Sequence, residues 1–220
     1  MPFAAIMAAE VMAMNNQSLV VVKSRKRSFN PSTAVLLIFV LICFAAIFDV
    51  YKNRVPADVK VPDYVDVQLI DIDGEARRGL KLEAVNAIVI HYVGNPGTTA
   101  QENRDFFNRP ETHVSSHFVI GLDGEIIQCV PLFEKSSASN DRNRDTISIE
   151  VCHPAEDGQF TEAAYASLIK LTAWLCETYH LDENDIIRHG DVIEKDCPKY
   201  YMEHPKAWLQ LKSDVANAIK

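Results

Sequence analysis

Short runs rich in Val and Ile alternate with amphipathic segments between residues 87 and 219, and this order constrains the fold more than any other feature. Strand candidates bounded by turn residues are 87–93, 117–121, 125–130 and 146–152. The Asp-Gly pair at 123–124 predicts a hairpin between the middle two. Helix candidates are 98–108, 161–180 and 204–219. The order strand, helix, hairpin, strand, helix, helix predicts one α/β domain with a central mixed β-sheet flanked by helices.

An unbroken apolar run at residues 33–48 follows a basic segment, a pattern typical of membrane insertion. As a helix, this run would be about 24 Å long, slightly shorter than the hydrocarbon core of a bilayer. We expect an N-terminal transmembrane signal-anchor at residues 32–49 to precede the domain. A cleaved signal peptide and a buried core helix are the alternatives. The domain would then lie outside the cytoplasm, held at the membrane through residues 33–48, or secreted after cleavage.

The formal net charge is −8, and it is divided unevenly along the chain. Residues 1–31 form a basic tail with four Lys and Arg side chains against one Glu, so the remainder is strongly acidic. Phosphate binding requires a basic surface, and the acidic balance therefore argues against a nucleic-acid partner. Residues 50–66 are polar and contain two prolines, which predicts a linker before a folded domain at 67–220.

The segment RHGDVIEKDCPKYY, residues 188–201, brings an imidazole, an ammonium and a thiol close together in a turn-rich stretch. His189 and Cys197 are zinc-ligand types, but a catalytic zinc has three protein ligands and an open position for water. His91 ends a strand candidate where the chain enters a Gly/Pro loop, and it is the natural third ligand. Water bound at such a Zn²⁺ site has a pKa of about 7 and attacks carbonyl groups near neutral pH.

Four blocks of the sequence resemble the zinc-dependent type-2 N-acetylmuramoyl-L-alanine amidases. They are IVIHYVGNPGTTAQENRDFF, SSHFVIGLDGEIIQCVP, DTISIEVCHP and RHGDVIEKDCPKYY, in the order of the family, and the resemblance covers about residues 78–207. This superfamily also contains phage lysis amidases and peptidoglycan recognition proteins. The resemblance implies a mixed sheet flanked by helices, with a zinc-containing groove above it. It also implies hydrolysis of the amide between N-acetylmuramic acid and L-alanine in peptidoglycan.

By position, the resemblance assigns His91, His189 and Cys197 as the zinc ligands and Lys195 as the catalytic cation. The third ligand is aspartate in some members, and Asp196 is adjacent, but the spacing from His189 matches the cysteine form. A cation beside the metal would stabilise the negative charge that develops on the amide oxygen during attack.

The resemblance leaves two sources for a general base. Some members use a tyrosine directly before the His-Phe pair, where this chain has Ser116. Others use a glutamate on a later strand, and Glu150 in the stretch SIEV occupies that place. Side chains alternate between the faces of a strand, so Glu150 points away from its two apolar neighbours and toward the predicted groove. Glu150 is therefore the predicted base.

Further candidates are weaker because each has a structural alternative. His117 and Asn140 are candidate substrate contacts, although His117 is equally explained as a hydrogen-bonded core residue and Asn140 as a turn former. Asp191 either orients His189 or caps a helix. Five cysteines are too few for a disulfide scaffold. With Cys197 on a metal, one disulfide is possible among Cys129, Cys152 and Cys176.

The sequence thus predicts a Zn²⁺-dependent amidase with peptidoglycan as its partner and substrate. Two alternatives remain open at this point. A recognition module of the same superfamily would bind muropeptide without cutting it, although such members typically lack the cysteine that this chain keeps. A peptidoglycan endopeptidase would use the same zinc site on a different amide bond.

Overall fold

A six-stranded sheet forms the centre of the structure, a computed structural model that describes residues 31–52, 55–72 and 74–219. The strands are β1 (Val65–Val67), β2 (Ala87–Tyr92), β3 (Phe118–Ile120), β4 (Ile126–Gln128), β5 (Thr146–Val151) and β6 (Ile186–Arg188). Their order in the sheet is β1-β4-β3-β5-β2-β6. The β3–β4 pair is antiparallel and the other pairs are parallel. The predicted central mixed sheet is therefore confirmed.

The described residues also form helices, and side chains cap the first turn of two of them. They are α1 (Pro31–Lys52), α2 (Ala100–Phe107), α3 (Glu162–Tyr179), α4 (Lys199–Glu203) and α5 (Pro205–Ala218). Thr99 and Glu102 form a reciprocal capping box at the start of α2. The Thr161 hydroxyl accepts the backbone N–H of Ala164 and caps α3. Contacts divide the chain into two units, Met1–Ile47 and Phe48–Lys220, and the sheet belongs to the second.

The two faces of the sheet have different roles. Ile88 and Ile90 of β2 and Ile147 and Ile149 of β5 are fully buried and share one core cluster with apolar residues of α3 and α5. His91 and Glu150 alternate with these residues, so their side chains lie on the opposite face. The two strands are parallel, and His91 is the register partner of Glu150. The apolar core on one face thus fixes the two polar side chains side by side on the other.

The prediction of a transmembrane segment at residues 32–49 is wrong. Helix α1 does form over this region, but no helix among the described residues is long and apolar enough to cross a membrane. The apolar run 33–48 corresponds to about 24 Å of helix, whereas the hydrocarbon core is about 30 Å thick. Charged residues follow the run at Asp49 and Lys52. The predicted basic tail, apart from its last residue, lies outside the described residues.

None of the three thiols considered for a disulfide is bonded to another. Cys129, Cys152 and Cys176 are all free and buried. Cys129 and Cys152 belong to the smaller core cluster, which packs on the sheet face opposite Ile88 and Ile90, whereas Cys176 lies in the larger one. The described part of the chain is therefore held together by packing and hydrogen bonds, without a disulfide.

Candidate metal centre

Three side chains converge where β2 and β6 end. His91 is the fifth residue of β2, and His189 directly follows β6, which is parallel to β2 and adjacent to it. Carboxyl ends of adjacent parallel strands open onto the same edge of a sheet, where ligand sites are commonly built. Cys197 returns to the same point because the backbone N–H of Gly190 donates to the Cys197 carbonyl at 2.8 Å.

The donor atoms of these three residues are close enough to share one ion. The two Nδ1 atoms of His91 and His189 are 3.1 Å apart, and Cys197 Sγ is 3.9 Å from His91 Nδ1. All three donors lie within 4.8 Å of one another, and each residue is at most 4% exposed. Ordinary zinc bond lengths and tetrahedral angles separate two nitrogens by about 3.3 Å, and a nitrogen and a sulfur by about 3.6 Å. The residues present therefore fit a tetrahedral metal ion.

The outer nitrogen of each imidazole, Nε2, has a hydrogen-bond partner in the turn at residues 139–140. His189 Nε2 is 2.9 Å from Asn140 Oδ1, and His91 Nε2 is 3.2 Å from Ser139 Oγ. Such partners commonly fix the tautomer and the ring plane of a metal-binding histidine. Asn140, predicted as a substrate contact, is thus placed against His189. Ser139 was not among the predicted site residues.

Burial makes both imidazoles neutral, which is the protonation state that metal binding requires. Burial, and then the positive charge of Lys195, lowers the pKa of His189 to about 4. The pKa of His91 lies well below its usual value, first because of burial and then because of His189 and Lys195. Burial, with the charge of Glu150, raises the pKa of Cys197 to about 12. A divalent cation held there would favour the thiolate.

The Glu150 carboxyl group extends beside the three donors. Its Oε1 atom is 3.8 Å from His91 Nδ1. Its Oε2 atom is buried and has no hydrogen-bond partner among the described residues. Burial raises the pKa of Glu150 to about 8, against the lowering effect of Lys195. A buried carboxyl oxygen without a partner lacks a hydrogen bond that a water molecule or a substrate group could supply.

The side chain of Lys195 is exposed at the rim of the cluster. Its positive charge contributes to lowering the pKa of His91, His189, Glu150 and Cys197. The backbones of Lys195 and Cys197 are joined directly, since the Cys197 N–H donates to the Lys195 carbonyl at 2.9 Å. Asp196, the alternative ligand, is exposed and is not part of the three-residue donor group.

Comparisons with known proteins identify the family of the chain. The family described as N-acetylmuramoyl-L-alanine amidase matches residues 81–200 of the chain. The chain belongs to this amidase family. The resemblance that the four sequence blocks indicate is thereby confirmed, and the matched region contains the three donor residues, Glu150 and Lys195.

Two relatives of the chain are amidases from Bacillus species. The amidase CwlL of Bacillus licheniformis is 32% identical over 146 residues, which are 59% of this chain and 40% of CwlL. BlyA of Bacillus subtilis is 28% identical over 167 residues, 66% of this chain and 45% of BlyA. The solved catalytic domain of XlyA is 25% identical with a TM-score of 0.60, and the match covers 69% of this chain and 98% of that domain. The chain spans between 38% and 50% of the curated relatives it matches.

Asp191 does not contact His189 in this structure but closes the turn around it. Its carboxylate accepts the backbone N–H of Arg188 at 2.9 Å and two guanidinium N–H groups at 3.1 and 2.7 Å. The Arg188 guanidinium also donates to the Tyr201 carbonyl and lies 5.4 Å over the Trp208 ring. Arg188 therefore anchors the His189 turn to helices α4 and α5.

His117, predicted as a second substrate contact, lies inside the core with both ring nitrogens engaged. Its Nδ1 accepts the backbone N–H of Ser148 at 3.0 Å, and its Nε2 donates to the Glu134 carbonyl at 2.9 Å. The residue is 0% exposed. This arrangement ties β3, β5 and the 131–135 loop together and leaves no ring nitrogen for a substrate.

We expect His117→Phe to lower the free energy of unfolding by about 3 kcal/mol, because the substitution leaves a buried N–H and a buried carbonyl without partners. The pKa of His117 is about 4 in the fold, lowered by burial, against about 6.5 when unfolded. As the pH falls, His117 is therefore protonated in the unfolded chain before it is protonated in the fold. Wild-type stability should fall as pH drops from about 6.5 to about 4. Urea unfolding at several pH values tests both effects. The variant should lose part of the acid sensitivity, and an unchanged stability at neutral pH would contradict the structural role.

Proposed function

We propose that this domain is an enzyme that hydrolyses the amide bond between N-acetylmuramic acid and L-alanine in peptidoglycan, with zinc as its cofactor. The observation that carries the proposal is the convergence of His91, His189 and Cys197 within 4.8 Å, beside an unpartnered Glu150 carboxyl oxygen. Membership of the amidase family and the amidase names of the curated relatives support this substrate. The location outside the cytoplasm stays a prediction.

Two nitrogens and one sulfur would hold the zinc ion and leave its fourth position open, as in catalytic rather than structural zinc sites. When bound, zinc would polarise the amide carbonyl and make a water molecule acidic enough to attack near neutral pH. The protein contributes the buried setting, in which the two imidazoles stay neutral. Their outer nitrogens are held by Ser139 and Asn140.

Glu150 moves the protons in this proposal. A general base must lie within hydrogen-bond reach of the proton that it takes. The Glu150 carboxyl lies 3.8 Å from His91 Nδ1, and its free Oε2 has no other partner among the described residues. In its carboxylate form, which the positive charge of Lys195 favours and a bound divalent cation would favour further, it would accept a proton from the attacking water and deliver it to the nitrogen of alanine as the C–N bond breaks.

Lys195 stabilises the transition state in this proposal. Attack on the amide carbonyl moves negative charge onto its oxygen. A cation held in place beside that oxygen interacts more strongly with the transition state than with the substrate. The Lys195 side chain is exposed, and it is two residues from Cys197 in the chain, so a substrate bound at the metal could reach it.

The test is digestion of purified peptidoglycan by the full chain, with and without a zinc chelator. We expect each cut to give a free lactyl carboxylate and a new L-alanine amino terminus, detected by mass spectrometry. Chelator should abolish the cuts and added Zn²⁺ should restore them. New ends only within the peptides would instead indicate an endopeptidase. Tight binding without any cut by the zinc-loaded protein would indicate a recognition module.

A further inference from the structure

We infer that Ser139 and Asn140 are positioning residues that hold both metal-binding imidazoles from the side opposite the ion. The two residues are adjacent in the chain, yet each contacts a different histidine, and those histidines come from different parts of the sequence. One turn therefore sets the two rings relative to each other. This inference rests on the proposed function, because it concerns the same zinc centre.

The Asn140 contact fixes the protonation pattern of His189. An amide Oδ1 accepts hydrogen bonds and cannot donate them, so His189 Nε2, at 2.9 Å, carries the proton. A neutral imidazole has one N–H, and His189 Nδ1 therefore presents a lone pair to the cluster. The Ser139 hydroxyl, at 3.2 Å, can accept from His91 Nε2 in the same way. Two lone pairs would then face each other across 3.1 Å, an arrangement that a cation between them stabilises.

The turn itself is held firmly. Asn143 Oδ1 accepts the backbone N–H groups of Ala138 at 3.0 Å and Ser139 at 2.6 Å. The Arg142 N–H donates to the Ser139 carbonyl at 3.0 Å, and Ser139 is 0% exposed. The chain then enters β5, the strand that carries Glu150. The acceptors are thus built on the framework of the sheet, as a preorganised site requires.

Asn140 has an unusual backbone conformation that suits this task. Its φ angle is +53°, in the left-handed region that asparagine, aspartate and glycine tolerate best. Asparagine combines tolerance of this conformation with a short side chain bearing an acceptor. Glycine would keep the backbone and remove the acceptor, and aspartate would keep both. The position therefore offers a clean pair of variants.

The competing explanation is that Asn140 contacts the substrate, as the sequence predicted. The two roles differ in what they change. A substrate contact alters KM and leaves zinc affinity intact, whereas a positioning residue alters zinc affinity in the absence of substrate. Loss of the partner of a metal-binding histidine typically weakens metal binding by about 10- to 100-fold.

The experiment measures the zinc Kd of the full chain by competition with a chromogenic chelator. Asn140→Gly and Ser139→Ala should bind Zn²⁺ about 10- to 100-fold more weakly than wild type. Asn140→Asp should stay within a few-fold of wild type, since its carboxylate keeps the acceptor. The visible spectrum of the cobalt-substituted protein should change in Asn140→Gly and persist in Asn140→Asp.

Thermal unfolding of the metal-free variants supplies the structural control. Asn140→Gly should unfold near the wild-type temperature, because glycine adopts a positive φ without strain. Wild-type zinc affinity in both Asn140→Gly and Ser139→Ala would overturn the inference while the proposed function stands. A raised KM with unchanged affinity would assign Asn140 to the substrate instead. A wild-type chain that binds no zinc would overturn the proposed function and this inference together.

Discussion

Cys197→Ser is expected to lose zinc and, with it, amide hydrolysis. A thiolate is a strong zinc ligand, whereas a serine hydroxyl keeps its proton and binds the ion weakly. The remaining two imidazoles do not make the three-ligand set of a catalytic zinc. A catalytic metal contributes several kcal/mol of transition-state stabilisation, so the rate should fall by about 10³-fold or more. Zinc content per chain and the rate of peptidoglycan cleavage are the two measurements.

Two further cysteine variants make this result interpretable. Cys176→Ala removes a buried thiol of helix α3 that belongs to the apolar core, and it should retain one zinc per chain. Cys197→Asp replaces the ligand with the carboxylate found in other members of the family, and it should recover part of the zinc binding. Stoichiometric zinc in Cys197→Ser, with full activity, would remove Cys197 from the proposed site.

Glu150→Gln is expected to keep zinc and lose most of the rate. The glutamine amide has nearly the same shape as the carboxyl group but cannot take a proton from water. Loss of a general acid–base group typically costs about 10²- to 10⁴-fold in rate. Glu150 is not one of the three donors, so zinc content should stay at the wild-type level. The measurements are kcat on soluble peptidoglycan fragments and zinc per chain.

Glu194→Gln is the matched control for this substitution. Glu194 is an exposed carboxylate in the loop between His189 and Cys197, and it is not part of the three-residue donor group. Its variant should keep wild-type activity. If Glu150→Gln turned over peptidoglycan at the wild-type rate, the proton would have to move through another group, and the proposed role of Glu150 would fail.

Long elements of the fold could be predicted because their residues carry a clear pattern. Strand β5 covers Thr146–Val151, and its predicted range was 146–152. Helix α3 begins directly after Thr161, its predicted cap. Strands β1 and β6 have three residues each, like β3 and β4, but they lack the Asp-Gly hairpin signal that marks that pair. They form because β4 supplies backbone hydrogen-bond partners to β1, and β2 supplies them to β6. The apolar run in α1 misled the prediction because its composition suggested a membrane and its length does not suffice.

Part of the candidate site could be predicted from residue type and spacing. His91, His189 and Cys197 are rare residue types at a recognisable spacing, and the structure places their donor atoms within 4.8 Å. Ser139 lies in a polar stretch, SSASN, where serine is ordinary, so no local pattern marked it. Its contact with His91 arises from tertiary packing alone. The contact between the Asn140 amide and His189, which are 49 residues apart in the sequence, also arises from tertiary packing.

X-ray absorption at the zinc edge tests the central claim most directly. The purified chain loaded with one equivalent of Zn²⁺ should show two nitrogen neighbours at about 2.0–2.1 Å, one sulfur at about 2.3 Å and one light atom from solvent. The sulfur signal should disappear in Cys197→Ser. A zinc shell without sulfur in the wild-type protein, or a chain that retains no zinc at all, would contradict the account.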